Sequence, residues 1–198
     1  MKIYLVTGNE GSVVTAQHEL SGFDIQVEQT DVETPESGSY DIAERARHRA
    51  HYAFEAINRP LVVLDAGFYL DRWPDFPGPY TTHALHSLGT AGILKLLEGE
   101  ERGCEFRHAL AYIDERHIDI PVFRSVIRGS VAAQPRGSCE GGWSRYHTIF
   151  VPEGFDSPLA ELCEDGAEHE RYTQWRMQHS LFRPFGEWLT EQYGLEHK

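Results

Sequence analysis

The segment that most constrains this chain is its opening. Lys2-Ile3-Tyr4-Leu5-Val6 runs straight into Thr7-Gly8-Asn9-Glu10-Gly11-Ser12, and a helix is expected from Val13 to about Leu20. Ile3 to Val6 is an unbroken apolar run, the pattern of a strand buried on both faces in a parallel sheet. Gly8 and Gly11 let the backbone turn sharply and approach an anion, and Thr7, Asn9 and Ser12 carry hydrogen-bonding groups. The N–H groups at the start of the following helix favour negative charge. Such a turn suits a phosphate, and it equally serves as a plain connection between strand and helix. A second buried strand, Leu61-Val62-Val63-Leu64, delivers Asp65 to its C-terminal end, where open α/β sheets bind ligands.

The intervening and following segments give a mixed pattern. Phe23 to Gln29 alternates as a strand, and Ser39 is placed to cap a helix over 41–57 that Arg59-Pro60 ends. The stretch 71–80, with Trp73, Pro74, Phe76, Pro77, Gly78, Pro79 and Tyr80, reads as an irregular aromatic loop, and a helix follows over 89–98. Residues 105–114 and 118–125 read as paired strands around Glu115-Arg116, and 126–133 continues the sheet. A loop over 134–146 leads to a short strand at 148–151, a helix at 158–163 and one long helix over 171–193. The expectation is an α/β fold with substantial antiparallel pairing.

A chain of 198 residues can bury a sizeable core as one domain or two tightly joined lobes, and it is treated as one domain, 1–198. No apolar run reaches the length of a membrane span and no basic-then-apolar signal leads the chain. Cys104, Cys139 and Cys163 are odd in number and far apart, as reduced thiols are. These features give a cytoplasmic expectation with no membrane partner. A net charge of -13 argues against a nucleic-acid polymer as partner, since duplex binding needs a basic face. It leaves a nucleotide open, because one needs only a local positive pocket. Lysine is confined to Lys2, Lys95 and Lys198, and arginine carries most of the positive charge.

Taken in order, several segments resemble the inosine/xanthosine triphosphate pyrophosphatase family. Val6-Thr7-Gly8-Asn9 looks like its strand and phosphate turn. Glu44-Arg45-Ala46-Arg47-His48-Arg49-Ala50 is similar to its Glu-Asn-Ala-x-x-Lys-Ala helix, and Val63-Leu64-Asp65-Ala66-Gly67 to its Ala-Asp-Asp-Ser-Gly strand end. Phe76-Pro77-Gly78-Pro79-Tyr80 looks like its Pro-Gly-Val-Tyr loop. Pro135-Arg136-Gly137 and the run Ile149-Phe150-Val151-Pro152-Glu153-Gly154 through Leu159-Ala160-Glu161-Leu162 match most closely. The resemblance implies a long mixed, twisted β-sheet flanked by helices, with two lobes and a central cleft. It implies Mg2+-dependent hydrolysis of a non-standard nucleoside triphosphate to monophosphate and pyrophosphate by a homodimer. Residues 73–80 are a candidate dimer contact or cleft lining.

Carried over position by position, the resemblance makes Asp65 and Glu44 the catalytic and Mg2+-binding carboxylates. Thr7, Gly8, Asn9, Ser12 and Arg49 become the phosphate-binding set, and Trp143, Tyr146, His147, Gln174 and Arg176 the base-binding set. In-line attack on a triphosphate needs neutralised charge, positioned phosphates and an activated water, and Mg2+ takes oxygen ligands. The departures fall on this chemistry: Ser12 replaces a lysine, Leu64 the first acid of a pair, Arg49 a lysine, and Trp143 to His147 a Phe-Gly-Tyr-Asp motif. Losing the lysine removes a charge-assisted bond worth about 1.5–3 kcal/mol, which Arg49 partly offsets with a bidentate grip. Other readings stand beside these. Glu44 also fits a solvated helix residue paired with Arg47 or His48, Asp65 a turn residue, Leu64 a buried strand residue, and Trp143 loop packing. The altered base motifs imply a base preference unlike that of inosine-type enzymes. A nucleotide-binding protein that has lost turnover is the competing class.

Overall fold

The apolar run at 3–6 forms β1 (Lys2–Val6), and its burial follows from having a neighbour on each side. It pairs in parallel with β2 (Gln26–Thr30) and with β3 (Leu61–Leu70). The computed structural model describes residues 1–117, 119–138, 144–164, 166 and 168–195. The remaining strands are β4 (Trp73–Gly78), β5 (Gly103–Ile113), β6 (Val122–Val131) and β7 (Phe150–Pro152). Together they make a seven-stranded mixed sheet ordered β2-β1-β3-β5-β6-β7, with β4 paired to β3 off that path. The helices are α1 (Glu10–Glu19), α2 (Ile42–Ile57), α3 (Thr81–Leu96), α4 (Leu159–Leu162), α5 (His169–Gln178) and α6 (Phe182–Tyr193).

The chain divides into two compact units, each assembled from separate segments. The first comprises Met1–Ala66, His108–Ser125 and Ser180–Lys198, and the second Gly67–Arg107 and Val126–His179. In the first, Ile3, Leu5, Val62, Leu110 and Tyr112 pack with Val13, Ala16 and Leu20 and with Phe182, Phe185 and Leu189 of α6. Leu64 adds to this cluster. Strand alternation turns its neighbour Asp65 to the opposite face, where α2 buries Ala43, Ala46, Ala50 and Ala53. The turn between β5 and β6 is tied down by Asp114. Its carboxylate accepts hydrogen bonds from Tyr112 OH at 2.6 Å, from Tyr193 OH of α6, and from the Arg116 and His117 N–H groups at 2.9 Å. In the second unit Phe68, Phe106, Tyr146 and Phe150 form an aromatic centre beside Leu159, Leu162 and Tyr172.

Several local expectations need correcting. The α2 cap is Asp41, whose side chain accepts from the Ala43 N–H at 2.8 Å, while Ser39 Oγ accepts from the Asp41 N–H. Residues 73–78 are a strand, antiparallel to β3 and broken by a register shift at Tyr69/Leu70. Its prolines hid the strand pattern, and they are tolerated because β4 pairs on one side only. The helix expected from Gly89 is present, but α3 also includes a helical stretch from Thr81 before it, and Gly89 with φ 62° forms the kink between the two. The segments 118–125 and 126–133 are not two strands: β6 runs continuously over Val122–Val131. The single helix expected over 171–193 is two. Ser180 Oγ accepts from the Phe182 and Arg183 N–H groups, which starts α6 afresh.

Candidate active site

The parallel ladder between β1 and β3 ends at the pair Val6↔Val63. Gly8 and Asp65 each stand two residues beyond that pair, so the turn and the carboxylate lie level with each other past the ladder. Asp65 itself lies in the middle of β3, not at its C-terminal end as expected, because β3 continues to Leu70. The turn is built as a helix start. Thr7 Oγ1 accepts from the Asn9 N–H at 3.0 Å, and Asn9 Oδ1 caps α1 by accepting from the Ser12 N–H at 3.3 Å. Helix geometry leaves the Glu10 and Gly11 N–H groups without an intrahelical acceptor. Ser12 adds no charge where a lysine was expected, and Glu10 places a carboxylate in the first turn.

Asp65 is the most unusual group in the first unit. Its side chain is 14% exposed. Oδ1 accepts the Ala66 N–H at 3.1 Å, and Oδ2 is buried with no hydrogen bond among the described residues. Arg45 Nε and Arg49 Nη1 each stand 3.8 Å from Oδ2. Burial pushes the carboxyl above its ordinary value, although Arg49, Arg45 and the Ala66 N–H pull the other way. A partly desolvated carboxylate with a raised pKa and one open oxygen suits a proton acceptor for water. Arg49 also donates Nε to Thr34 Oγ1 at 3.0 Å, leaving its guanidinium aimed across the carboxylate. Arg45 was not anticipated as a site residue. The available signal was a second arginine at i, i+4 from Arg49 on the alanine face of α2.

The Mg2+ pair expected of Glu44 and Asp65 does not fit this arrangement. Glu44 is 58% exposed and pairs with Arg47 at 2.6 Å, the helix-surface role open to it from the sequence. Asp65 meets two guanidinium groups, each giving about 4 kcal/mol of attraction at an effective dielectric of about 20 before desolvation is counted. A resident divalent cation would face the same groups as repulsion. Among the described residues no three His, Cys, Asp or Glu side chains are grouped to hold a metal. Leu64 is partly buried and packs against the core cluster of the first unit.

The base-binding candidates lie in the second unit. Tyr146 and His147 belong to a short 3-10 helix, Arg145–Thr148, and both are buried. Tyr146 is packed between Phe68 at 4.5 Å and Phe106 at 6.4 Å, so its ring serves the core, while its hydroxyl has no hydrogen bond among the described residues. Trp143 lies outside the described residues, as does Cys139. Gln174 is exposed on α5, and Arg176 on the same helix has a buried Nε without a hydrogen bond among the described residues. Between them Trp175 stacks on Tyr172 at 5.9 Å and meets Phe155 edge-on at 5.6 Å. That is a packing role.

Comparison with known proteins agrees with this fold and with the order of the motifs. The Ham1 family model matches residues 3–171. A dITP/XTP pyrophosphatase of Methanopyrus kandleri is 38% identical over 187 residues, covering 88% of this chain and 96% of that protein. A protein of the same description from Thermococcus kodakarensis is 32% identical, covering 96% and 98%. Among solved structures, a HAM1 protein from Coxiella burnetii superposes with a TM-score of 0.76 at 19% identity, covering 96% of this chain and 99% of that one.

Proposed function

This chain belongs to the Ham1 family, and from that premise we propose that it hydrolyses a non-standard purine nucleoside triphosphate to the monophosphate and pyrophosphate. The observation that carries the proposal is the placement of Asp65 beside the phosphate turn, with an open carboxylate oxygen and two arginines at 3.8 Å. The relatives' description as dITP/XTP pyrophosphatases supports the substrate class. In the reaction Asp65 orients a water and takes its proton. The water oxygen bonds to the α-phosphorus, the bond from that phosphorus to the α–β bridging oxygen breaks, and pyrophosphate leaves. Arg49 and the Glu10 and Gly11 N–H groups hold phosphate oxygens, and Thr7, Gly8 and Asn9 shape the turn around them. Mg2+, if the reaction uses it, would neutralise phosphate charge, and the exposed Glu44 and the arginine-flanked Asp65 would not hold it as a pair in the free protein.

Base selection is assigned to His147, Gln174 and Arg176 in the second unit. The enzyme is proposed to act in the cytoplasm, on the nucleotide pool, as a homodimer. A second reading, a nucleotide-binding protein without turnover, is favoured by one observation: Ser12 and Leu64 stand where a lysine and an acid are expected. Pyrophosphate release measured over ITP, dITP, XTP and the four standard nucleoside triphosphates, with Mg2+ and with Mn2+, separates the two. Turnover of a deaminated purine triphosphate above the standard ones is expected. Binding without pyrophosphate release from any of them would replace the enzyme with the binding protein.

A further inference from the structure

Arg45 is a buried charged group to which the sequence pattern gave no role. The resembled motif carries an asparagine there, whereas this chain has a guanidinium whose side chain is only 6% exposed. It is held from two directions. Nη1 donates to the Ser37 carbonyl and Nη2 to the Glu36 carboxylate, which fixes the fork and turns Nε toward Asp65 Oδ2. Arg49, one helical turn further along α2, brings Nη1 to the same oxygen at the same 3.8 Å and is itself anchored on Thr34. Neither guanidinium can lose its proton in water, and each is pre-set by a second bond, so the charge beside Oδ2 is permanent. The oxygen they flank is the carboxylate oxygen of Asp65 that makes no hydrogen bond among the described residues, and so the one a cation would otherwise take.

We propose that Arg45 and Arg49 are a built-in counter-charge that occupies the place of a cation at Asp65 and keeps divalent ions from settling there in the free protein. This gives the Leu64 replacement a rationale. With positive charge supplied by α2, an extra carboxylate on β3 has no cation to hold, and position 64 is free to join the core. The inference takes its importance from the reading of Asp65 as the reacting carboxylate, but its test needs no nucleotide, so the two can fail separately.

The test is a titration of the ligand-free protein with Mn2+, followed by electron paramagnetic resonance. The parent should show no site tighter than about 1 mM. Arg45→Gln and Arg49→Gln should each gain affinity by about tenfold or more, since each removes one repelling charge about 4 Å from the ligand oxygen. Arg45→Lys should behave as the parent, because it keeps the charge. Adding Asp65→Asn to either glutamine variant should erase the gain. A tight parent site that Asp65→Asn abolishes would overturn the proposal, and so would the absence of any gain in a folded glutamine variant. Should Arg45→Gln not fold, Arg49→Gln decides, because its side chain is 26% exposed and less is lost on truncation.

Discussion

At the scale of single residues, charge placement was the least legible property. Asp65 was identified from its position after a buried strand, yet its two arginine partners depend on which face of α2 meets β3, and that is a tertiary fact. Glu44 and Arg45 are adjacent in sequence and about 100° apart around the helix. One is solvated and the other is buried. Asp114 was missed altogether, because its five hydrogen bonds come from the turn, β5 and α6 together. Burial works against ionising it, but bonds from Tyr112, His117 and the backbone outweigh burial and hold its carboxyl below the ordinary 3.8. A depressed value means that the ionised form stabilises the fold fully above 3.8 and that this contribution fades as pH falls through the lower folded-state value. Asp114→Asn should therefore cost about 2–3 kcal/mol at pH 7, and the gap to the parent should narrow in acid, once pH has fallen well below the ordinary 3.8. Urea unfolding at neutral and acid pH measures it. A gap that stays constant with pH would assign the loss to packing instead.

At the scale of elements, strands with continuous apolar runs and helices with clear faces were readable, and elements defined by their partners were not. β1, β2 and the start of β3 follow from burial pattern alone. β4 required knowing that β3 extends past Asp65 to offer it an edge. The break between α5 and α6 turned on one serine, Ser180, inside an otherwise helical stretch. Close contact between α1 and α6 was equally hidden. A Cβ on Gly186 would stand 2.8 Å from Leu20 Cδ2 and 2.9 Å from the Phe23 ring, so the glycine sets how near α6 can lie to the end of α1. Gly186→Ala should destabilise the protein by about 1–3 kcal/mol through overpacking, even though alanine favours helix by about 1 kcal/mol. Thermal or urea unfolding checks the sign. An equal or higher midpoint would mean that Leu20 and Phe23 yield freely.

At the scale of the whole molecule, the order of the motifs along the chain carried the identification, and the match over residues 3–171 bears it out. No single motif was decisive. The scaffold is kept while Ser12, Leu64 and the segment 143–147 differ from the resembled pattern. Fold was therefore legible from agreement spread over many positions, whereas chemistry had to be argued from the few that changed. Those few acquire meaning only once the helix faces are known: Leu64 belongs to a core cluster, and the arginines of α2 surround the remaining acid. In the proposed reaction the chain is a working pyrophosphatase with Asp65 as its proton acceptor. The most direct measurement is pyrophosphate release from XTP or dITP by the parent and by Asp65→Asn, with unfolding curves confirming that both are folded. The parent should turn over, and the variant, which keeps size and loses charge, should fall by at least about a hundredfold. A folded Asp65→Asn protein releasing pyrophosphate at the parent rate would contradict the account.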